Sequence, residues 1–130
     1  MSGALHFVTS DRAPAAIGPY SQAVVADGWV FCSVQIPIVP ETGDIVSGGI
    51  TEQTERVISN LEAVLGAAGS SLDRVVKSTV FLASMSDFAA MNEVYTRRFG
   101  DHRPARSTFQ VAELPRKALV EIECVARSGS

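Results

Sequence analysis

Two cysteines, two histidines and one tryptophan are all that the 130-residue chain carries of those types. Cys32 and Cys124 each sit in an apolar, strand-like run, with no CxxC and no Cys/His neighbour at metal-binding spacing. Neither a zinc site nor a disulfide framework can be read from them, and two buried free thiols are the simpler reading. His6 and His102 stand far apart and form no HxxxH pair. The P-loop, the GxGxxG fingerprint and the GxSxG elbow are also missing. The expectation is a protein without metal or cofactor. No apolar run approaches membrane-span length, and "MSGALHFVTSDRAP" lacks the basic segment and apolar stretch of a signal peptide. A soluble, intracellular and cytoplasmic protein is expected. Charged residues make up 19% and the net charge is −3, which argues against nucleic-acid or membrane binding by bulk electrostatics.

What is present fits one globular domain over residues 1–130, with 46% hydrophobic residues. "LHFVT" predicts a short strand, and "AVVADGWVFCS" predicts a hairpin, because Asp27-Gly28 suits a two-residue turn with positive φ. "IPIVPETGDIVSGG" reads as a loop. Val57, Ile58, Leu61, Val64, Leu65 and Ala68 then recur at helical spacing, with Glu52, Glu55, Arg56, Asn60 and Glu62 on the other face. Thr51 is the expected cap and Gly69 the stop. "VVKSTVFLA" predicts a strand. A second helix is expected from a Ser86 cap to Phe99, with Phe88, Met91, Tyr95 and Phe99 on one stripe and Gly100 closing it. "STFQVA" and "ALVEIECVA" complete the order β, β, β, α, β, α, β, β.

Two helices cannot cover both faces of a sheet of about six strands, so they are expected on one face. In the last strand, alternation sets Val120, Ile122, Cys124 and Ala126 against the helices, with Leu119, Glu121, Glu123 and Val125 opposite. A solvated face has no need of Leu119 and Val125, which favours a subunit interface there.

Arg106, in "HRPARST", offers a permanently charged, planar fork for a carboxylate or phosphate. Taken alone, an ion pair with one of the glutamates is the simpler use. Arg97, Arg98 and Arg103 read as a solvated helix end and loop. Glu121 and Glu123 suit a general acid/base pair, and equally an arginine-paired interface. "GPY" presents Tyr20 on a turn, and Ser33 lies near a strand end; each has an ordinary structural reading as well.

In combination, "APAAIGPYSQAV", "CSVQIPIVPETGDIV", "VVKSTVFLASMSDFAAMNEVY", "RPARSTFQVAELP" and "VEIECVA" resemble the RidA family, also called YjgF/YER057c/UK114, over nearly the whole chain. The resemblance implies an α+β, chorismate-mutase-like fold: a mixed sheet with two helices on one face, forming a trimeric barrel with sites between subunits. It implies cofactor-free hydrolysis of imines such as 2-aminoacrylate and 2-iminopropanoate to 2-keto acids and ammonia. Arg106 would clamp the substrate carboxylate and Glu121 would position or activate water. Tyr20, Ser33 and Thr108 would line the pocket.

The chain departs from the family at Val34, where glycine is usual, at Thr108, where many members have cysteine, and in a shorter loop before "PARS". Val34 is expected to shift the strand or pocket wall if the backbone there needs positive φ. Two other functions compete with the deaminase. One is a trimer that binds carboxylate metabolites, or acts as a chaperone-like partner, without turnover. The other is a ribonuclease supported by Arg97, Arg98, Arg103 and Arg106, against which the net charge counts.

Overall fold

The structure, a computed structural model, describes residues 3–129. Its strands are β1 (His6–Val8), β2 (Ala23–Ala26), β3 (Trp29–Gln35), β4 (Val75–Leu82), β5 (Ala105–Gln110) and β6 (Val120–Arg127). Helix α1 spans Ile50–Ala67 and α2 spans Phe88–Phe99. The element order is the one expected. The six strands form one sheet in the order β1-β2-β3-β6-β4-β5, antiparallel throughout except for the parallel pair β4 and β5. This is the α+β architecture expected from the sequence.

β2 and β3 turn back at Asp27 and Gly28, whose φ angles of 51° and 84° suit the twist of a two-residue hairpin. β6 enters the centre of the sheet as its last strand, between β3 and β4. Val120, Ile122, Cys124 and Ala126 are buried on its helix side, against Val57, Ile58, Leu61, Val64 and Leu65 of α1. On the other side no helix among the described residues covers the sheet. Phe7, Phe31 and Phe109 stand about half exposed there, on the same face as half-buried Val125.

Three details differ from the sequence reading. The cap of α1 is Gly49, not Thr51: its N–H donates to Glu52 Oε1 at 2.9 Å, which closes the first turn. Before α2, Met85–Asp87 makes a 3₁₀ turn, and the Ser84 hydroxyl, not Ser86, accepts the free N–H of Ser86 at 3.2 Å. Asn60 lies fully buried rather than on the polar face of α1. Its amide donates to the carbonyls of Ile36 and Ile38, both at 3.0 Å, and so ties the 36–38 segment to the helix. A buried amide costs little once both donors are used.

Asn60→Ala leaves both carbonyls without that donor. It is expected to lower the unfolding free energy by about 1–3 kcal/mol. The check is a urea titration, where the midpoint falls at unchanged slope; an unmoved midpoint refutes the role.

Candidate functional site

A cavity of about 730 Å³ opens between the 14–20 segment, the end of β3, the 36–43 loop, the turn at Pro115–Arg116 and β6. Tyr20, Ser33 and Glu121 line it, together with Val34, Glu123 and apolar Ile17, Ile36 and Ile38. A larger cleft of about 1050 Å³, lined by Arg12, Glu41, Arg56 and Glu62 among others, holds none of the candidate residues.

Glu121 is 5% exposed, and its Oε2 has no hydrogen-bond partner. Burial alone pushes its pKa up to about 7, because the charged form loses solvation and gains no counter-charge. A carboxyl balanced near neutrality can take and return a proton. Glu123, two residues on, is exposed on the same side of the strand.

Ser33 and Val34 sit in a register shift of β3 against β6, between the pairs Cys32↔Cys124 and Gln35↔Ile122. Such a bulge re-aims side chains at a strand end, and here both residues line the cavity. The Ser33 hydroxyl donates to Ser21 O at 2.6 Å, so toward the cavity it has lone pairs to offer rather than its proton. Val34 does not adopt the positive φ considered for it: among the described residues, the non-glycine positions with positive φ are Asp27, Arg116 and Lys117. It fits as a β-branched residue in extended chain. Tyr20 is half exposed at the cavity wall.

The wall segments are held from behind by buried amides, which the sequence did not reveal as such. Gln22 is 4% exposed and receives Ser10 N–H on its oxygen at 2.5 Å. Its nitrogen donates to Ser10 O at 3.0 Å and Pro14 O at 2.8 Å. Gln53 Oε1 accepts Leu119 N–H at 2.8 Å, just before β6. With Asn60, these amides fix the 10–14 loop, the 36–38 segment and the entry to β6. Their only sequence signal is a polar residue at a helix position or strand end that burial would otherwise forbid.

Arg106 lies elsewhere. It is the second residue of β5, paired with Ser78 of β4, and that row shares the helix-covered face of the sheet. Glu121 pairs with Phe81, in a row of opposite parity. Arg106 lines a separate cavity of about 370 Å³ with Asn92, Tyr95, Thr96, Arg103 and Pro104. Its Nη1 donates to Asn92 Oδ1 at 2.7 Å. The ion pair that was the simpler reading of Arg106 is absent among the described residues, where the salt bridges join Arg97 and Arg98 to Glu55 and Glu62. Thr108 lines neither cavity, and its Oγ1 is buried without a partner. One chain thus brings Tyr20, Ser33 and Glu121 together and leaves Arg106 and Thr108 apart from them.

Arg97 and Arg98 are not merely a solvated helix end. Arg98 bridges Glu55 Oε1 at 2.8 Å and Glu62 Oε1 at 3.1 Å, tying α2 to α1. Cys32 and Cys124 are buried, free and directly paired across β3 and β6. The Cys124 thiol is held protonated by its contact with Cys32 and by burial. Among the described residues no group of three His, Cys, Asp or Glu side chains could hold a metal ion, and no helix is long and apolar enough to cross a membrane.

With this geometry in view, the family model described as Endoribonuclease L-PSP matches residues 10–128. The chain belongs to this family, the RidA/YjgF/UK114 family. Among its RidA relatives, a mouse 2-iminobutanoate/2-iminopropanoate deaminase is 46% identical over 122 residues, 94% of this chain and 90% of that protein. A solved structure from Thermotoga maritima is 58% identical with a TM-score of 0.93, covering 96% of this chain and 98% of that one. The crystal structure of E. coli TdcF with bound serine is 41% identical with a TM-score of 0.91, covering 95% of this chain and 99% of that one.

The raised pKa of Glu121 links its protonation to stability. Below about 4.5 the carboxyl is protonated in folded and unfolded chains alike. As pH rises the unfolded chain releases its proton first, so stability falls until about pH 7, where the folded chain follows. Urea unfolding is expected to show a loss of up to about 3 kcal/mol across that window. In Glu121→Gln that contribution is gone, so a wild-type and mutant difference that stays flat with pH contradicts the shift.

Proposed function

We infer that the chain is a cofactor-independent imine deaminase whose site is completed between copies, with Arg106 of one copy closing the Glu121 cavity of the next. The observation that carries this is a pair of unmatched groups on one sheet: a guanidinium without a carboxylate partner among the described residues, and a buried carboxyl with a free oxygen. Among the described residues Arg106 meets Asn92 but no carboxylate and Glu121 Oε2 meets no donor, and each suits one end of a 2-imino acid. The half-exposed phenylalanines of the uncovered face supply apolar area for association, and a homotrimer is the assembly that the family resemblance suggests. The mouse relative's name supports the reaction class, and the bound serine of TdcF supports a small amino-acid-like ligand.

The substrate carboxylate binds the Arg106 fork. The iminium carbon is already electrophilic, so water needs a place and a base. Ionised Glu121 takes a proton as the water oxygen bonds to that carbon, while the C=N π electrons return to nitrogen. Protonated Glu121 then gives its proton to the amine, and the C–N bond breaks with its electron pair going to nitrogen. The keto group forms as the hydroxyl proton passes to the carboxylate of Glu121 and on to the departing ammonia, which leaves as ammonium with Glu121 ionised again. A placed carboxylate in this role contributes about 10²–10⁴-fold. The substrates we take are the imines of alanine and 2-aminobutanoate, the pair that the mouse relative's name carries, with Tyr20 and Ser33 as cavity lining. Thr108 would act from the Arg106 side of the junction.

The RNA-cleaving alternative has less beneath it. Arg97 and Arg98 are committed to Glu55 and Glu62. His102 Nε2 sits 2.7 Å from the Val75 carbonyl and is engaged there.

The test is 2-keto acid formation from serine by a pyridoxal-phosphate dehydratase, with the protein added. Wild type should accelerate it, and Glu121→Gln should lose about 10²–10⁴-fold in kcat. kcat/KM should rise with pH through about 7, as Glu121 of the free enzyme ionises. Arg106→Ala should be nearly inactive by itself. If each site draws Arg106 and Glu121 from different copies, co-assembling the two mutants restores about one site in four. No acceleration by wild type sinks the activity, and no recovery on mixing sinks the shared site.

A further inference from the structure

The geometry points to Tyr95 as the positioning residue of Arg106: its ring, locked by Ser78 from beneath, is the platform that sets the plane in which the guanidinium meets a carboxylate. This rests on the proposed role of Arg106 as a clamp and adds the part that aims it.

Arginine carries about 2 kcal/mol of rotamer freedom, and a clamp that must be ordered at each binding event loses affinity by that amount. Here the freedom is already restricted. The Arg106 Cζ stands 4.7 Å from the centroid of the Tyr95 ring and 5.7 Å from that of Phe88. Aromatic faces attract a guanidinium and leave its in-plane N–H donors free. Asn92 takes one of those donors, on Nη1, and so fixes rotation within the plane.

Tyr95 is held in turn. Its ring stacks on Phe99 with centroids 4.4 Å apart and planes 21° from parallel. Its hydroxyl shares a 2.6 Å hydrogen bond with that of Ser78, which is fully buried. Ser78 is the β4 residue paired with Arg106 in the parallel ladder. The contacts therefore close on themselves: from Arg106 across the ladder to Ser78, through the hydroxyl pair to Tyr95, and from the ring back to the guanidinium. A buried tyrosine hydroxyl needs a hydrogen-bond partner, and here it takes one from the residue in register with Arg106. A fully buried serine placed there gives the ring one orientation.

The experiment measures imine hydrolysis and pyruvate binding by calorimetry for wild type, Tyr95→Leu, Tyr95→Phe, Arg106→Ala and the Tyr95→Leu/Arg106→Ala double variant. Folded fractions are matched by circular dichroism. Tyr95→Leu should raise KM and the pyruvate Kd about 3- to 30-fold with a smaller change in kcat. Tyr95→Phe, which keeps the face and loses the hydroxyl, should recover most of that loss. In the Arg106→Ala background, Tyr95→Leu should cost nothing further, because its effect passes through Arg106. An equal loss in both backgrounds, or an unmoved KM and Kd in folded Tyr95→Leu, overturns the inference while leaving the clamp intact. Wild type that neither hydrolyses an imine nor binds pyruvate overturns the clamp, and the aiming role with it.

Discussion

Side chains alternate across a pleated sheet, and both helices of this fold lie on the same side of it. Parity therefore assigns each strand residue either to the core or to the open face. β6 obeys this most strictly: Val120, Ile122, Cys124 and Ala126 are buried beneath the helices, while Glu121 and Glu123 face the other way. Arg106 has the opposite parity to Glu121 because its ladder partner is Ser78, whereas that of Glu121 is Phe81. No rotamer change carries one to the other through a sheet. On the proposed reading a site that uses both is made from more than one chain, and β5, as the edge strand, is the one whose free side a second copy would meet.

The same constraint decides where polar atoms can be spent. The cavity walls are loops, which have no ladder of their own to hold them. Gln22, Gln53 and Asn60 supply that hold from buried positions, each through bonds to backbone groups. Buried amides are costly unless fully used, so they survive only where both ends of the bond matter. The result is a cavity with a fixed rim and a floor that carries one unsatisfied carboxyl oxygen.

Element order, the one-sided helices and the inward stripe of β6 were legible because periodicity and turn chemistry are local signals. Asn60 was not. An asparagine among Glu52, Glu55 and Glu62 looks like part of a solvated face, and the carbonyls it serves lie more than twenty residues away. Caps shifted by two residues for a similar reason: Thr51 and Ser86 are good cap types, but Gly49 and Ser84 occupy the geometry. Tyr20, Ser33, Glu121 and Arg106 could be named from motif resemblance, yet their division into two separate cavities follows from strand register, which no motif encodes. Tyr95 belongs to the apolar stripe of α2 that the spacing predicts, but the spacing does not show that its ring also lies against the Arg106 guanidinium.

The raised pKa of Glu121 acquires a use once the substrate's charge is included. In the single chain, burial makes ionisation of this carboxyl unfavourable up to about pH 7. On the proposed reading, a protonated imine entering the cavity brings a positive charge close to it, which favours the carboxylate. The base is then formed by the arrival of the species it serves. A glutamate held ionised by a protein lysine or arginine would be a weaker base, and its proton affinity would not respond to occupancy. Leaving Oε2 without a protein partner is therefore consistent with function: a permanent hydrogen bond would stabilise the fold at the expense of the oxygen's capacity to accept a proton from water.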